Sequence, residues 1–156
     1  MTQTVGAKNM RNVDVHYSST SGWIWNAIGG TLNAIEVSGG DRITGETWTA
    51  DSDQPIVLFG KMNPLEVTGK IVYSEVTAEA FIDLEALYKN GTNIRVSWAP
   101  AGWSTGNLLF KTDTVQITAF GYPSGEVQDG NPIMVDFTVR AGTISYARMT
   151  TGSGTF

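Results

Sequence analysis

Apolar and polar positions alternate with a period of two along most of this chain, and switch to helical spacing once, between Leu65 and Trp98. In its first part Leu65, Val67, Ile71 and Tyr73 share one face of an extended segment, while Glu66, Thr68, Lys70 and Ser74 share the other. Gly69 interrupts the apolar face, as at a bulge or a close backbone approach. The spacing of Phe81, Leu84 and Tyr88, with Leu87 beside them, predicts an amphipathic helix over 78–89, N-capped by Thr77 and stopped at Asn90-Gly91. Ile94, Val96 and Trp98 return to alternation, and Ala99-Pro100 closes that strand because proline cannot donate to a ladder. A helix with one apolar stripe needs a sheet beneath it, which the flanking chain must supply.

The flanks read as strands. Val13, Val15 and Tyr17 alternate with Asn12, Asp14 and His16. Trp23 to Ile28 and Thr31 to Val37 are separated by Gly29-Gly30, the spacing of a tight hairpin. From Ser38 to Gln54 the pattern fades around Ile43 and Trp48, leaving either a short extra hairpin or a long excursion from the body. Trp48 favours docking over a purely solvated role. Ile56 to Phe59 is a fully apolar run of the kind that makes a buried strand. Leu108 to Phe110 pairs briefly, and Val115, Ile117 and Ala119 alternate against polar neighbours. Ile133, Val135, Phe137 and Val139, against Met134, Asp136, Thr138 and Arg140, are the cleanest alternation of all, and Gly142 permits a reversal into Thr143 to Met149. Residues 1–11 and 150–156 are polar or Gly/Ser/Thr-rich, as terminal arms are.

With 156 residues and 41% hydrophobic content, a single domain over 1–156 is expected. Eighteen glycines and one convincing helix place it in the mainly β class. A net charge of -5 disfavours a stable nucleic-acid complex built on phosphate neutralisation. The absence of cysteine excludes disulfides and thiolate metal sites. No signal-like or membrane-spanning apolar run is present, so a soluble protein without a classical export signal or membrane anchor is expected.

Candidate chemistry is sparse. Gly102-Trp103-Ser104-Thr105-Gly106 spells a nucleophile elbow, but Pro100 precedes it, a β-like segment follows it, and the single histidine, His16, lies upstream. Asp14 and His16 lie about 6 to 7 Å apart along a strand, so a solvated or hydrogen-bonded surface histidine is expected there. Asp41, Asp51 and Asp53 lack complete calcium-loop spacing, and no metal site or cofactor is expected. Asn90-Gly91-Thr92 spells a glycosylation acceptor but is read as the helix stop. Five tryptophans in a β-rich domain raise carbohydrate binding; with Trp98 in the core, Trp23, Trp25, Trp48 and Trp103 are spare for sugars or for a protein interface.

The order of pieces carries a resemblance. An alternating strand from Val67 to Ser74, Glu75-Val76-Thr77 leading into the helix, Arg95-Val96-Ser97-Trp98-Ala99-Pro100 and Ile133 to Arg140, with the long segment before Ile56, together resemble a bacteriophage major tail protein, the tail tube subunit of a long-tailed phage. The resemblance covers about residues 30–150 and is one of pattern.

It implies a β-sandwich or barrel body with one flanking helix, a long inter-strand loop over 38–54 and terminal arms. The implied function is structural and non-enzymatic: self-assembly into stacked hexameric rings that form a hollow tube in the virion tail, from protein made in the host cytoplasm. The implied partners are further copies of the chain, other tail proteins, and DNA as a non-sticking cargo of the lumen. Under it Trp48, Asp51, Asp53 and Phe156 become subunit contacts, Glu66 and Asp136 face the lumen, and an acidic lumen fits the charge balance. The alternative is a carbohydrate-binding β-sandwich module.

Overall fold

The computed structural model of the protein describes residues 9–10, 13–19, 25–28, 31–77, 79–126 and 130–150. Its elements in chain order are β1 (Asp14–Ser18), β2 (Asn26–Ala27), β3 (Leu32–Gly39), β4 (Arg42–Thr47), β5 (Ile56–Met62), β6 (Leu65–Val72), α1 (Ala80–Lys89), β7 (Arg95–Ala99), β8 (Leu108–Thr112), β9 (Ile117–Phe120), β10 (Met134–Ala141) and β11 (Ile144–Arg148). The chain is therefore mainly β with one helix, as its alternation predicts. One sheet has the order β11-β8-β7-β1-β2, a second has β3-β6-β10-β9, and β4 and β5 form a separate two-stranded ribbon. Among the described residues no sheet closes into a barrel.

Two sheets and the helix share one core. The five-stranded sheet contributes Val15, Tyr17, Val96 and Trp98, and the four-stranded sheet contributes Val67, Ile71, Ile117, Val135, Phe137 and Val139. Strict alternation in β10 buries Val135, Phe137 and Val139 and leaves Asp136 and Arg140 exposed. Gly69 is a close approach, as its interruption of the apolar face suggests: the Phe137 ring occupies the space of its missing side chain.

The helix begins at Ala80 rather than at 78. A turn closed by the Glu79 N–H on the Val76 carbonyl at 3.0 Å precedes it, so Thr77 lies too early to cap and the N-cap is Glu79, without a side-chain bond. Ala80, Phe81 and Leu84 are buried. The Phe81 ring meets Tyr73 edge-on at 4.8 Å and Phe120 at 5.6 Å, and Tyr88 stacks on Phe120. The Tyr17 hydroxyl, on the other sheet, donates to Asp83 Oδ2 at 3.2 Å. α1 thus closes one end of the sandwich, bridging both sheets. It stops at Asn90 and at Gly91, whose φ of 59° is open to glycine at little cost.

Three local expectations fail for physical reasons. Thr31 and Leu32 both donate to the Ile28 carbonyl, and the chain there crosses from one sheet to the other, so β2 pairs β1 while β3 pairs β6, and no hairpin joins them. A register shift between β10 and β9 turns Ala119 outward and Phe120 inward, breaking the alternation read from Val115. Ile56 to Phe59 is a strand, but an exposed one.

Candidate assembly surfaces

The segment from Ser38 to Gln54 supplies the first strand, β4, and most of the connecting turn of a hairpin whose second strand is β5, the strand that holds the apolar run. The Gly40 N–H bonds to the Pro64 carbonyl at 3.3 Å and the Asn63 N–H to the Asp41 carbonyl at 2.8 Å, so the ribbon continues the β3–β6 pair out of the body. Gly39 and Gly40 have φ of 80° and 78°, the left-handed values that let the chain turn at this exit. Every residue of β4 and β5 is exposed. Among the described residues, seven of the thirteen exposed large apolar side chains lie here: Ile43, Trp48, Ile56, Val57, Leu58, Phe59 and Met62. A two-stranded ribbon alone in water is marginal, and an apolar patch of this kind marks an interaction site. Trp48 is at its tip, 65% exposed, and Asp51 and Asp53 lie in the same exposed turn. Phe156 lies outside the described residues, as do most of 1–11 and all but Thr150 of 150–156.

The second surface is the polar face of the four-stranded sheet, turned away from the core and from α1. Register places Glu66 opposite Arg140, Thr68 opposite Thr138, and Lys70 opposite Asp136. Arg140 Nε lies 4.0 Å from Glu66 Oε2, and the two threonine hydroxyls are 3.1 Å apart. Glu36 and Ser38 extend the same face on β3. Glu66 and Asp136 are thus on one face, but each is opposed by a cation, which makes the face charge-mixed rather than acidic. Sequence patterning finds the two carboxylates and misses this pairing, which only the β6–β10 register fixes. Among the described residues β3 and β9 have no strand beyond them, so their outer edges present backbone donors and acceptors to a neighbour.

The third region is the outer face of the five-stranded sheet. Trp103 folds over it, packing with Ala99, Leu109 and Met149 and placing its ring 3.9 Å from that of His16. His16 is therefore covered rather than solvated, with its side chain 13% exposed and Nδ1 3.8 Å from Asp14 Oδ1. Burial lowers its pKa below the usual 6.5, and the Asp14 charge acts against that shift. Ser18 and Ser97 on the same face are buried, their hydroxyls without a hydrogen-bond partner among the described residues.

The serine of the elbow-like segment is exposed, its Oγ accepting from Asn107 Nδ2 at 2.9 Å. The same amide donates to the carbonyls of Ala101 and Gly102, and the strand β8 follows instead of a helix. The geometry is that of an Asn-braced loop. Trp25 lies 6.4 Å from Trp103 at a tilt of 57°, Trp98 is core and Trp48 is remote on the ribbon; Trp23 lies outside the described residues. No metal-binding cluster of carboxylates or imidazoles occurs among the described residues, so Asp41, Asp51 and Asp53 form none.

No protein-family model matches the sequence, and no curated protein matches it. Solved structures do match its fold. A chain of the sheath-tube complex of PVC, an extracellular contractile injection system, superposes with a TM-score of 0.67 at 14% identity, covering 92% of this chain and 93% of that one. The SPP1 tail tube gives 0.65 at 11% identity, over 88% and 77%. The tail of an empty gene transfer agent particle, refined helically with C6 symmetry, gives 0.63 at 13% identity, over 92% and 100%. The chain has the fold of phage and injection-system tail tube proteins, in agreement with the resemblance read from its pattern.

Proposed function

We propose that this chain is the structural subunit of a phage-type tail tube. Copies join side by side into hexameric rings, the rings stack, and DNA passes through the resulting lumen. The polar face carrying Glu66 and Asp136 lines that lumen, and the β4–β5 ribbon with Trp48, Asp51, Asp53 and the terminal residue Phe156 makes contacts between subunits. The partners are other copies and other tail proteins; the location is the virion tail, after synthesis in the host cytoplasm. The chain does no chemistry of its own.

The observation that carries this reading is the likeness to tube subunits over nearly the whole chain, 92% of it in the case of the injection-system tube. The open edges of β3 and β9 support ring closure, since each can continue the four-stranded sheet into that of a neighbour. A lining of threonine hydroxyls and mixed charges suits a sliding polyanion: Arg140 lies 4.0 Å from Glu66, and Asp136 stands opposite Lys70 in the register, so each cation of the face has a carboxylate across from it that weakens its hold on phosphate. Electron microscopy of the purified chain over a range of concentrations tests it. Rings or hollow tubes are expected; a strictly monomeric particle throughout would overturn it.

A further inference from the structure

Among the described residues β11 is the outer strand of the five-stranded sheet. The Asp113 N–H donates to the Thr143 carbonyl at 3.2 Å and the Met149 N–H to the Asn107 carbonyl at 2.9 Å. The register between these bonds is unbroken, so Ser145 and Ala147 turn their backbone groups to β8 while Ile144, Tyr146 and Arg148 turn theirs outward. The side chains of those three share the face of Leu108 and Phe110. Phe110 stacks on Trp98 at the margin of the core and meets the Tyr146 ring at 5.8 Å; Tyr146 lies past that margin, 68% exposed. Beside it a groove of about 350 Å³ is walled by Pro100, Asn107, Leu108, Phe110 and Arg148. A bond from Arg148 Nη1 to the Gly106 carbonyl at 3.0 Å aims the guanidinium. In a chain of net charge -5, β8 and β11 carry Lys111 and Arg148 and no carboxylate.

We propose that this edge and groove take an extended, acidic segment of a different protein, added antiparallel to β11 as one more strand of the sheet. The contact goes beyond the tube reading and does not depend on it. Backbone bonds to Ile144, Tyr146 and Arg148 supply the affinity, and the alternate side chains of the segment supply the selectivity. An apolar residue across from Tyr146 covers the exposed ring. A carboxylate across from Arg148 makes charge-assisted bonds with the guanidinium donors that the Gly106 carbonyl does not use. A second copy fits poorly. The other edge of the same sheet is β2, only the two residues Asn26 and Ala27, too short to pair along β11. A second β11 would bring another Lys111 and another Arg148 to an edge that already holds an excess of positive charge.

The probe is a labelled peptide, Thr-Asp-Thr-Leu-Thr-Val-Thr with blocked ends, whose aspartate, leucine and valine fall across from Arg148, Tyr146 and Ile144. Fluorescence anisotropy is expected to show binding, and the Tyr146 and Arg148 amides to slow in hydrogen exchange when the peptide is added. Arg148→Glu is expected to bind about tenfold more weakly, and a peptide with lysine in place of the aspartate to regain the loss on that variant alone. Should Arg148→Glu misfold, the peptide side still decides: N-methylation of the leucine removes one strand-pairing donor and is expected to abolish binding to the unmodified chain. No binding at millimolar peptide, or equal binding of the N-methylated form, would overturn the proposal. Slowed exchange of Tyr146 and Arg148 that grows with the concentration of the chain alone would also overturn it, by giving the edge to a second copy. None of these outcomes bears on whether rings or tubes form.

Discussion

Gly69 on β6 lies directly across from Phe137 on β10, and the Phe137 ring fills the position a β-carbon at residue 69 would take. Phe137 is 1% exposed and packed on every side, so the ring has no free volume into which to retreat. Gly69→Ala should therefore cost about 1–3 kcal/mol of stability despite the better strand propensity of alanine. Urea unfolding measures it. Adding Phe137→Leu should recover part of the loss, a non-additivity that a double-mutant cycle reads directly.

That contact is legible in the sequence as an interruption: Gly69 breaks an apolar face that Val67 and Ile71 otherwise complete. The β10 strand and α1 are legible for the same reason, because each buries one side against its own chain and periodicity records that. β5 is misread by the same rule. A run of four apolar residues signals burial on both faces, and the pattern carries no mark of whether the covering surface belongs to the same copy or to another. Gly29-Gly30 spells a tight hairpin, yet the flanking strands belong to different sheets, a choice made by long-range packing. Trp48 is legible as a tryptophan outside the core; the cations facing Glu66 and Asp136 are not, since register alone brings them there.

Tyr17 donates to Asp83 from the far sheet, and burial, followed by the Asp83 charge and hydrogen bond, pushes its pKa up from 10.0 to about 12. A raised tyrosine pKa means that the folded state holds the proton more tightly than the unfolded chain. The associated stability is complete below about 10 and disappears as pH rises from there to about 12. Ultraviolet titration of phenolate should find a tyrosine with a midpoint of about 12 that is missing from the Tyr17→Phe variant. Asp83→Asn should lower its midpoint while leaving the part due to burial.

His16 shifts the other way, because its imidazole is packed under Trp103. The unfolded chain binds that proton more readily, so the group stabilises the fold fully above about 6.5 and progressively less as pH falls below that value. As the only histidine, it gives a single titrating imidazole Hε1 resonance in proton NMR. Its midpoint should lie below 6.5, and Asp14→Asn should move it lower still by removing the opposing charge. A midpoint above 6.5 would contradict the covered position of the ring.

Leu58 and Phe59 project from opposite faces of β5 and are 69% and 71% exposed. Replacing both with aspartate removes no buried contact within the subunit, so the unfolding free energy should change by no more than about 0.5 kcal/mol. Assembly should fail. Sedimentation velocity on the folded variant separates these outcomes: a folded monomer is expected, and normal assembly would remove the ribbon from the subunit interface.

The two sides of the four-stranded sheet make opposite demands, and two charge-changing substitutions separate them. Phe81, 9% exposed, is wedged between Tyr73 and Phe120. Phe81→Ala should cost about 3–5 kcal/mol, and Phe81→Asp more, because it puts a carboxylate between the rings of Tyr73 and Phe120 in place of an apolar side chain. Glu66 lies on the other side, its side chain 47% exposed and its nearest charge, Arg140, 4.0 Å away. An exposed pair at that distance is worth about 0–1 kcal/mol, and Glu66→Lys adds a like-charge contact of similar size. Circular dichroism melts should therefore show an unfolded or strongly destabilised Phe81→Asp and a Glu66→Lys within about 1 kcal/mol of the parent. In assembled tubes Glu66→Lys frees two cations at once, the new lysine and the released Arg140, so retention of added short DNA should rise at low salt and fall away as salt is increased. If Glu66→Lys instead abolished folding, the face carrying Glu66 would belong to the core and the outward assignment of Asp136 would fall with it.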